Sequence, residues 1–217
     1  TRETGAALGL MVSASHNKSD DNGIKLFSPA GIKLTDAEEE ALEAAMASAF
    51  EGDFAPPPAI ATPHHMNGAI ALYLERCLET VGTDIDFSGL KIVLDCAHGA
   101  AFEIGPAALR QLGADITIIG DTPDGLNINA GVGSTATGLL KSTVTETGAD
   151  IGIAFDGDAD RVIVIDELGE EVDGDQVMAL IAGELHRAGR LKGGGMVATI
   201  MSNMGLAEYL KGLDLPL

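Results

Sequence analysis

The 217 residues carry 33 acidic against 13 basic side chains, a formal charge of -20. That balance argues against nucleic acid or an anionic membrane surface as partner, because both select clustered Lys and Arg. Apolar runs such as 151–155 and 162–165 fall far short of the roughly 20 residues a membrane span needs, so a protein without membrane contact is expected. Nearly half the residues are apolar, enough for a buried core, and the length fits one large domain or two smaller ones.

Cys77 and Cys96 are the two cysteines, with no CxxC and no His at zinc spacing, so neither a disulfide framework nor a structural zinc site is expected and a cytoplasmic setting fits. The first residues contain no apolar run with a basic flank and no initiator Met, and the chain is expected to be a piece of a longer protein.

In chain order, a short apolar run at 8–12 predicts a strand feeding the polar loop from Ser13 to Gly23. Residues 23–27 alternate like a second strand, and Thr35 with Glu38 forms a capping box that opens a helix to about Phe50. Pro56-Pro57-Pro58 favours an extended linker. Beyond it helices and strands alternate: helix 67–81, strand 91–95, helix 102–112, strand 115–119, helix 137–147, strand 151–155. Such alternation implies a parallel sheet covered on both faces. Residues 162–166 and the turn at Leu168-Gly169 add a strand and a hairpin, Asp175 is placed as the cap of a helix to about Ala188, and residues 196–200 are expected as a strand before a helix over 206–210. The expected fold class is α/β, in repeated three-layer domains with mixed, mostly parallel sheets. The expected units are 1–66, 67–170, and a third that begins at 171–217.

The sharpest chemical signal is Asp156-Gly157-Asp158-Ala159-Asp160-Arg161, directly after the apolar strand 151–155. In open α/β sheets ligands gather at the carboxyl ends of strands. Three carboxylates at every second position in a tight loop repel one another, and a hard, oxygen-seeking cation such as Mg²⁺ or Ca²⁺ relieves that repulsion. Three metal-type readings compete. An EF-hand would place Glu167 at its twelfth position, but Arg161 stands where Gly is needed and a strand occupies the loop. A phosphotransferase of the haloacid-dehalogenase type would use the first Asp as nucleophile, but its pattern wants Thr where Asp160 stands. The third takes all three Asp as ligands and leaves Arg161 to face a phosphate. Gly131-Val132-Gly133-Ser134-Thr135-Ala136 fits a dinucleotide fingerprint in letters only, because no buried strand precedes it.

Ser13-Ala14-Ser15-His16-Asn17 followed by Asp21-Asn22-Gly23-Ile24-Lys25 resembles the phosphoserine loop of the α-D-phosphohexomutases, and Asp156 to Arg161 resembles their metal loop. The two motifs lie about 140 residues apart, in the family's order. Residues 123–129, 131–135, 95–100 and 202–206 are similar to the branch that acts on glucosamine phosphates. The resemblance implies interconversion of glucosamine 6-phosphate and glucosamine 1-phosphate through a hexosamine bisphosphate, on the route to UDP-N-acetylglucosamine and cell-wall precursors. It implies Ser15 as the phosphate carrier, and Mg²⁺ held by Asp156, Asp158, Asp160 and a phosphate oxygen on Ser15. It further implies Arg161 against phosphate, with His16 and Lys25 as candidates for proton transfer or charge stabilisation. A dianionic phosphoserine and three Asp sum to about -5, and one Mg²⁺ leaves about -3, so cations such as Lys25 and Arg161 are needed nearby.

Two positions depart from the pattern: Lys18 stands where the family usually has Pro, and Val132 where the branch usually has Cys. The family's sugar-reading loop and its fourth domain are absent from these residues, so the longer protein is the expected enzyme and this piece alone is expected to be inactive. A sibling phosphomannomutase or phosphoglucomutase, and a non-catalytic phosphosugar- or metal-binding module, are the alternatives.

Overall fold

A computed structural model describes residues 1–52, 62–83 and 85–217; the triple-proline linker lies outside them. The chain opens with an antiparallel ribbon of β1 (Gly9–Ser13) and β2 (Gly23–Phe27), paired in register from Gly9↔Phe27 to Ser13↔Gly23. The polar loop that carries Ser15 is therefore the connection of this ribbon, and its two ends are held one strand spacing apart. Helix α1 (Asp36–Glu51) follows. Its capping box is formed as expected, with Thr35 accepting from the Glu38 N–H and Glu38 accepting from the Thr35 N–H.

Helix α2 (Ala69–Glu79) leads into the second unit. There, β3 (Lys91–Asp95), α3 (Ile104–Gln111), β4 (Asp115–Ile119), α4 (Gly138–Thr147), β5 (Ile151–Phe155), β6 (Val162–Ile165) and β7 (Glu171–Val172) follow in order, with a 3₁₀ turn at Ala100–Phe102 before α3. The sheet order is β4-β3-β5-β6-β7. Its first three strands are parallel, and β6 and β7 join antiparallel through the tight turn at Gly169. The sheet is mixed because residues 156–161 return the chain directly along β5, with no crossover helix to carry it back.

Strand alternation sorts the core onto two faces. Val93, Ala154 and Ile165 pack with Leu140 and Val144 of α4 on one. On the other, α3 comes close enough that a Cβ on Gly105 would lie 3.2 Å from Leu94 Cδ2 and 3.5 Å from Phe155 Cε2. Helix, sheet and helix make three layers, which closes both faces of β3 and β5 and leaves their carboxyl ends open for a site.

The last unit holds α5 (Gly174–Arg187) and α6 (Met204–Gly212), packed through Ala182, Leu206, Leu210 and Leu215. Two expectations are corrected here. The cap of α5 is Asp173, which accepts from the Gln176 N–H at 2.7 Å, while Gln176 accepts from the Asp173 N–H at 2.8 Å. Asp175 lies inside the first turn, because Gln176 stands at the capping-box distance from Asp173 and not from Asp175. Residues 196–200 form no strand. No neighbouring strand pairs with them among the described residues, and Val197 and Ile200 are 97% and 100% exposed.

Candidate active site

The carboxyl end of β5 places Asp156 at the rim of the sheet, fully buried. Its Oδ1 accepts from the backbone N–H groups of Asp160 (3.1 Å) and Arg161 (3.2 Å), folding the following loop back over the strand end. Ala159 takes a left-handed backbone, φ 58°, and completes the turn. Asp158 turns the other way: its Oδ2 accepts from Ser13 Oγ at 2.8 Å and from Lys25 Nζ at 2.9 Å.

Asp156, Asp158 and Asp160 can each offer an oxygen within 4.8 Å of the others. The buried atoms Asp156 Oδ2 and Asp158 Oδ1 have no hydrogen-bond partner among the described residues. Buried carboxylate oxygens left without a donor are costly, and a hard cation satisfies both at once. The donor set therefore fits a metal ion. Arg161 is more than half exposed, and its Nε stands 3.9 Å from Asp156 and Asp160, too far for a hydrogen bond.

The electrostatics follow from this packing. Burial raises the Asp156 carboxyl above the usual range against the N–H groups of Arg161 and of Asp156 itself, which lower it, and the charges of Asp160 and Asp158 push it up as well. Burial also pushes Asp158 up, yet the hydrogen bonds from Lys25 and Ser13 and the Lys25 charge hold it below the usual carboxylate value. The Lys25 amine is raised, first by its hydrogen bond to Asp158 and further by the charges of all three Asp. It is an ammonium ion, a counter-charge for the cluster.

The Ser15 loop meets this cluster directly. Ser15 is left-handed at φ 51°. Its N–H donates to Ser13 Oγ at 2.9 Å, and its carbonyl accepts from the Gly157 N–H at 3.1 Å. His16 Nδ1 stands 3.5 Å from Ser15 Oγ, at the outer limit of a hydrogen bond. Ser15, Lys25, Asp156, Asp158 and Asp160 are thus brought together, with His16 beside Ser15 and Arg161 at the edge; Lys18 is exposed.

Three residues inside the motifs quoted from the sequence carry roles that the sequence alone does not assign. Ser13 links the two loops through one hydroxyl, donating to Asp158 and accepting from Ser15. Asn129 donates from Nδ2 to the carbonyls of Ser15 (2.8 Å) and Asn17 (2.7 Å). Asp95, fully buried at the end of β3, accepts from Ala97 N (2.9 Å) and Gly133 N (2.7 Å) and so ties two loops to the sheet. Gly133, within the glycine-rich stretch, thus serves a structural hydrogen bond. Ser13 was legible as a neighbour of Ser15; the other two act across distances that no local pattern reports.

The chain matches family models in three consecutive stretches. Residues 1–53 match phosphoglucomutase/phosphomannomutase alpha/beta/alpha domain I, residues 71–169 domain II, and residues 173–217 domain III. It is 70% identical over 210 residues to a phosphoglucosamine mutase of Hyphomonas neptunium, covering 97% of this chain and 47% of that protein. It is 49% identical over all 217 residues to one of Caulobacter vibrioides, covering 48% of it. A solved phosphoglucomutase/phosphomannomutase family protein from Burkholderia thailandensis superposes with a TM-score of 0.65 at 25% identity, over 83% of this chain and 38% of that one. The chain spans about half the length of the curated relatives it matches. With all three domain models falling in order along nearly its whole length, the chain belongs to the phosphoglucomutase/phosphomannomutase family, within the α-D-phosphohexomutases.

Proposed function

We propose that the protein of which these residues form part is a phosphoglucosamine mutase, interconverting glucosamine 6-phosphate and glucosamine 1-phosphate through a phosphoserine at Ser15 and a bisphosphate intermediate. The supporting observation is the hydrogen bond from Gly157 N–H to the Ser15 carbonyl, which fastens the serine loop to the middle of the three-Asp loop. The sugar assignment rests on the relatives, named as phosphoglucosamine mutases at 70% and 49% identity.

In this reading the Oγ–P bond of phosphoserine 15 breaks as a new P–O bond forms to the free sugar hydroxyl, whose proton departs. The bisphosphate then reorients, its other phosphoryl group returns to Ser15 Oγ, and the released sugar oxygen takes up a proton. Asp156, Asp158 and Asp160 would hold Mg²⁺, whose charge, when bound, stabilises the negative charge on the transferring phosphoryl oxygens. Lys25, paired with Asp158, would offset negative charge at the cluster or take part in proton transfer. His16 is placed beside Ser15 Oγ for proton handling, and Arg161, largely exposed, is free to meet phosphate. The domain division proposed is 1–66, 67–170 and the start of a third unit at 171–217.

Intact mass and phosphopeptide mapping of the full-length protein test this, with native protein and Ser15→Ala each incubated with Mg²⁺ and a hexosamine bisphosphate. A gain of about 80 Da on Ser15 that requires Mg²⁺ and is lost in the variant is expected. Absence of phosphate from native protein, with no turnover of glucosamine phosphates, would leave a non-catalytic phosphosugar-binding role.

A further inference from the structure

We infer that Asn129 is a positioning residue for phosphoryl transfer, its carboxamide holding the Ser15 loop in place against the Asp156 to Asp160 loop. The inference rests on the reading of Ser15 as phosphate carrier.

Asn129 is 5% exposed, and its own N–H donates to Ala97 O at 2.9 Å, so its backbone is fixed to the loop that leaves β3. From there Nδ2 reaches the carbonyls on either side of His16, 114 and 112 positions away in the chain. Two carbonyl oxygens at 2.8 and 2.7 Å demand two hydrogens from one atom. A carboxamide supplies them, whereas a hydroxyl has one and a carboxylate none, so the amide orientation is dictated by its neighbours. Its Oδ1 is buried without a partner among the described residues. Among the described residues, both hydrogen bonds this side chain makes therefore go to the Ser15 loop.

The backbone of Ser15 explains why such a hold is needed. A non-glycine residue keeps a left-handed conformation, here φ 51°, only where its surroundings over-determine it. The Ser15 carbonyl is gripped by the Gly157 N–H and by Asn129 Nδ2 together. The three groups meet so closely that a Cβ on Gly157 would lie 2.5 Å from Ser15 O and 2.8 Å from Asn129 Nδ2. With the Asn129 donors removed, a single N–H remains to fix that carbonyl, and Ser15 Oγ can swing relative to the carboxylates. In-line transfer is sensitive to displacements on the order of 1 Å.

The test compares full-length Asn129→Asp, Asn129→Gly and Ser15→Ala with wild type. Asp keeps the size and the tolerance for left-handed backbone (φ 56°) without the hydrogens, and Gly keeps the backbone alone. The expected result is a fall in kcat on the order of 10- to 100-fold in both Asn129 variants, with KM and Mg²⁺ affinity within about threefold of wild type. Amide exchange over 13–17 should quicken while β3 and β5 stay protected. A kcat within about twofold of wild type in both variants, with Ser15→Ala inactive, overturns this inference alone. So does a loss of Mg²⁺ affinity as large as the loss of kcat, which would make Asn129 a support of the metal loop. Full activity in Ser15→Ala removes the phosphoserine reading itself, and this inference with it.

Discussion

Lys25 Nζ lies 2.9 Å from Asp158 Oδ2, joining a cation on β2 to a carboxylate on the loop after β5. The pair leaves Asp158 Oδ1 free of partners among the described residues and, with Ser13 Oγ, anchors the Ser15 ribbon on the cluster. Removing the amine should therefore be felt most where no cation balances the three carboxylates.

Lys25→Met is expected to lower the stability of the metal-free protein by about 1 kcal/mol, a modest figure because Lys25 is partly exposed and screened. Millimolar Mg²⁺ should restore more of the melting temperature in the variant than it adds to wild type, since the ion relieves more repulsion there. Thermal melts with and without Mg²⁺ measure both quantities, and equal Mg²⁺ increments in the two proteins would contradict the argument.

Gly157→Ala tests the contact between the two loops. Its Cβ would enter the space of Ser15 O, Ile128 Cδ1 (2.7 Å) and Asn129 Nδ2, and two of these are polar groups already committed to one another. Overpacking of this kind costs about 1–3 kcal/mol. The strain should be relieved by the Ser15 loop moving out, because the β5 side is held by the sheet. The expected phenotype is a melting temperature a few degrees lower with activity reduced at least tenfold, read by calorimetry and mutase assay; unchanged activity would show the loops to be independent.

These relationships mark where the sequence stops being legible. Strands 91–95, 115–119 and 151–155 could be read to the residue, because short apolar runs between polar turns leave few alternatives. The Thr35 box was legible because both partners lie within one helical turn. The sequence reading places the cap at Asp175, whereas the structure has it at Asp173, because two Asp stand two apart and only the position of Gln176 decides between them. Residues 196–200 are a short, mostly apolar run like those that form strands elsewhere in the chain, but such a run does not report whether a neighbouring strand exists to pair with. At the site, the three Asp lie within five residues and announce themselves. Asn129 and Asp95 act through backbone groups brought near by the fold, and their residue types alone carry no sign of it.

The two cysteines should differ sharply. Cys96 is fully buried, and burial with the charges of Asp95 and Asp121 pushes its thiol up to about 12. Cys77 is partly accessible beside the apolar cleft lined by Met11, Tyr73 and Ile104. Because the thiolate is the reactive species, iodoacetamide at neutral pH should alkylate Cys77 in the native protein and Cys96 only after unfolding. Peptide mass mapping decides it, and equal native labelling would mean that β3 opens far more readily than its packing implies.

Asp95 provides the pH test. Burial raises its carboxyl above the ordinary value, against the lowering effect of the Gly133 and Ala97 N–H groups and of His98. The native state therefore holds this proton more tightly than the unfolded chain, and the group's contribution to stability is fully present below the unfolded value of about 3.9 and is lost as pH rises through the raised folded value. Asp95→Asn cannot titrate. It also offers one acceptor where two buried N–H groups need one each, a loss of about 1–3 kcal/mol. The stability gap between wild type and Asp95→Asn should therefore widen as the pH is lowered from about 7 toward about 4, since only wild type gains from uptake of the proton. Urea unfolding at both pH values measures the gap, and a gap that narrows on acidification would mean that the carboxylate is better stabilised by its two N–H donors than its burial allows.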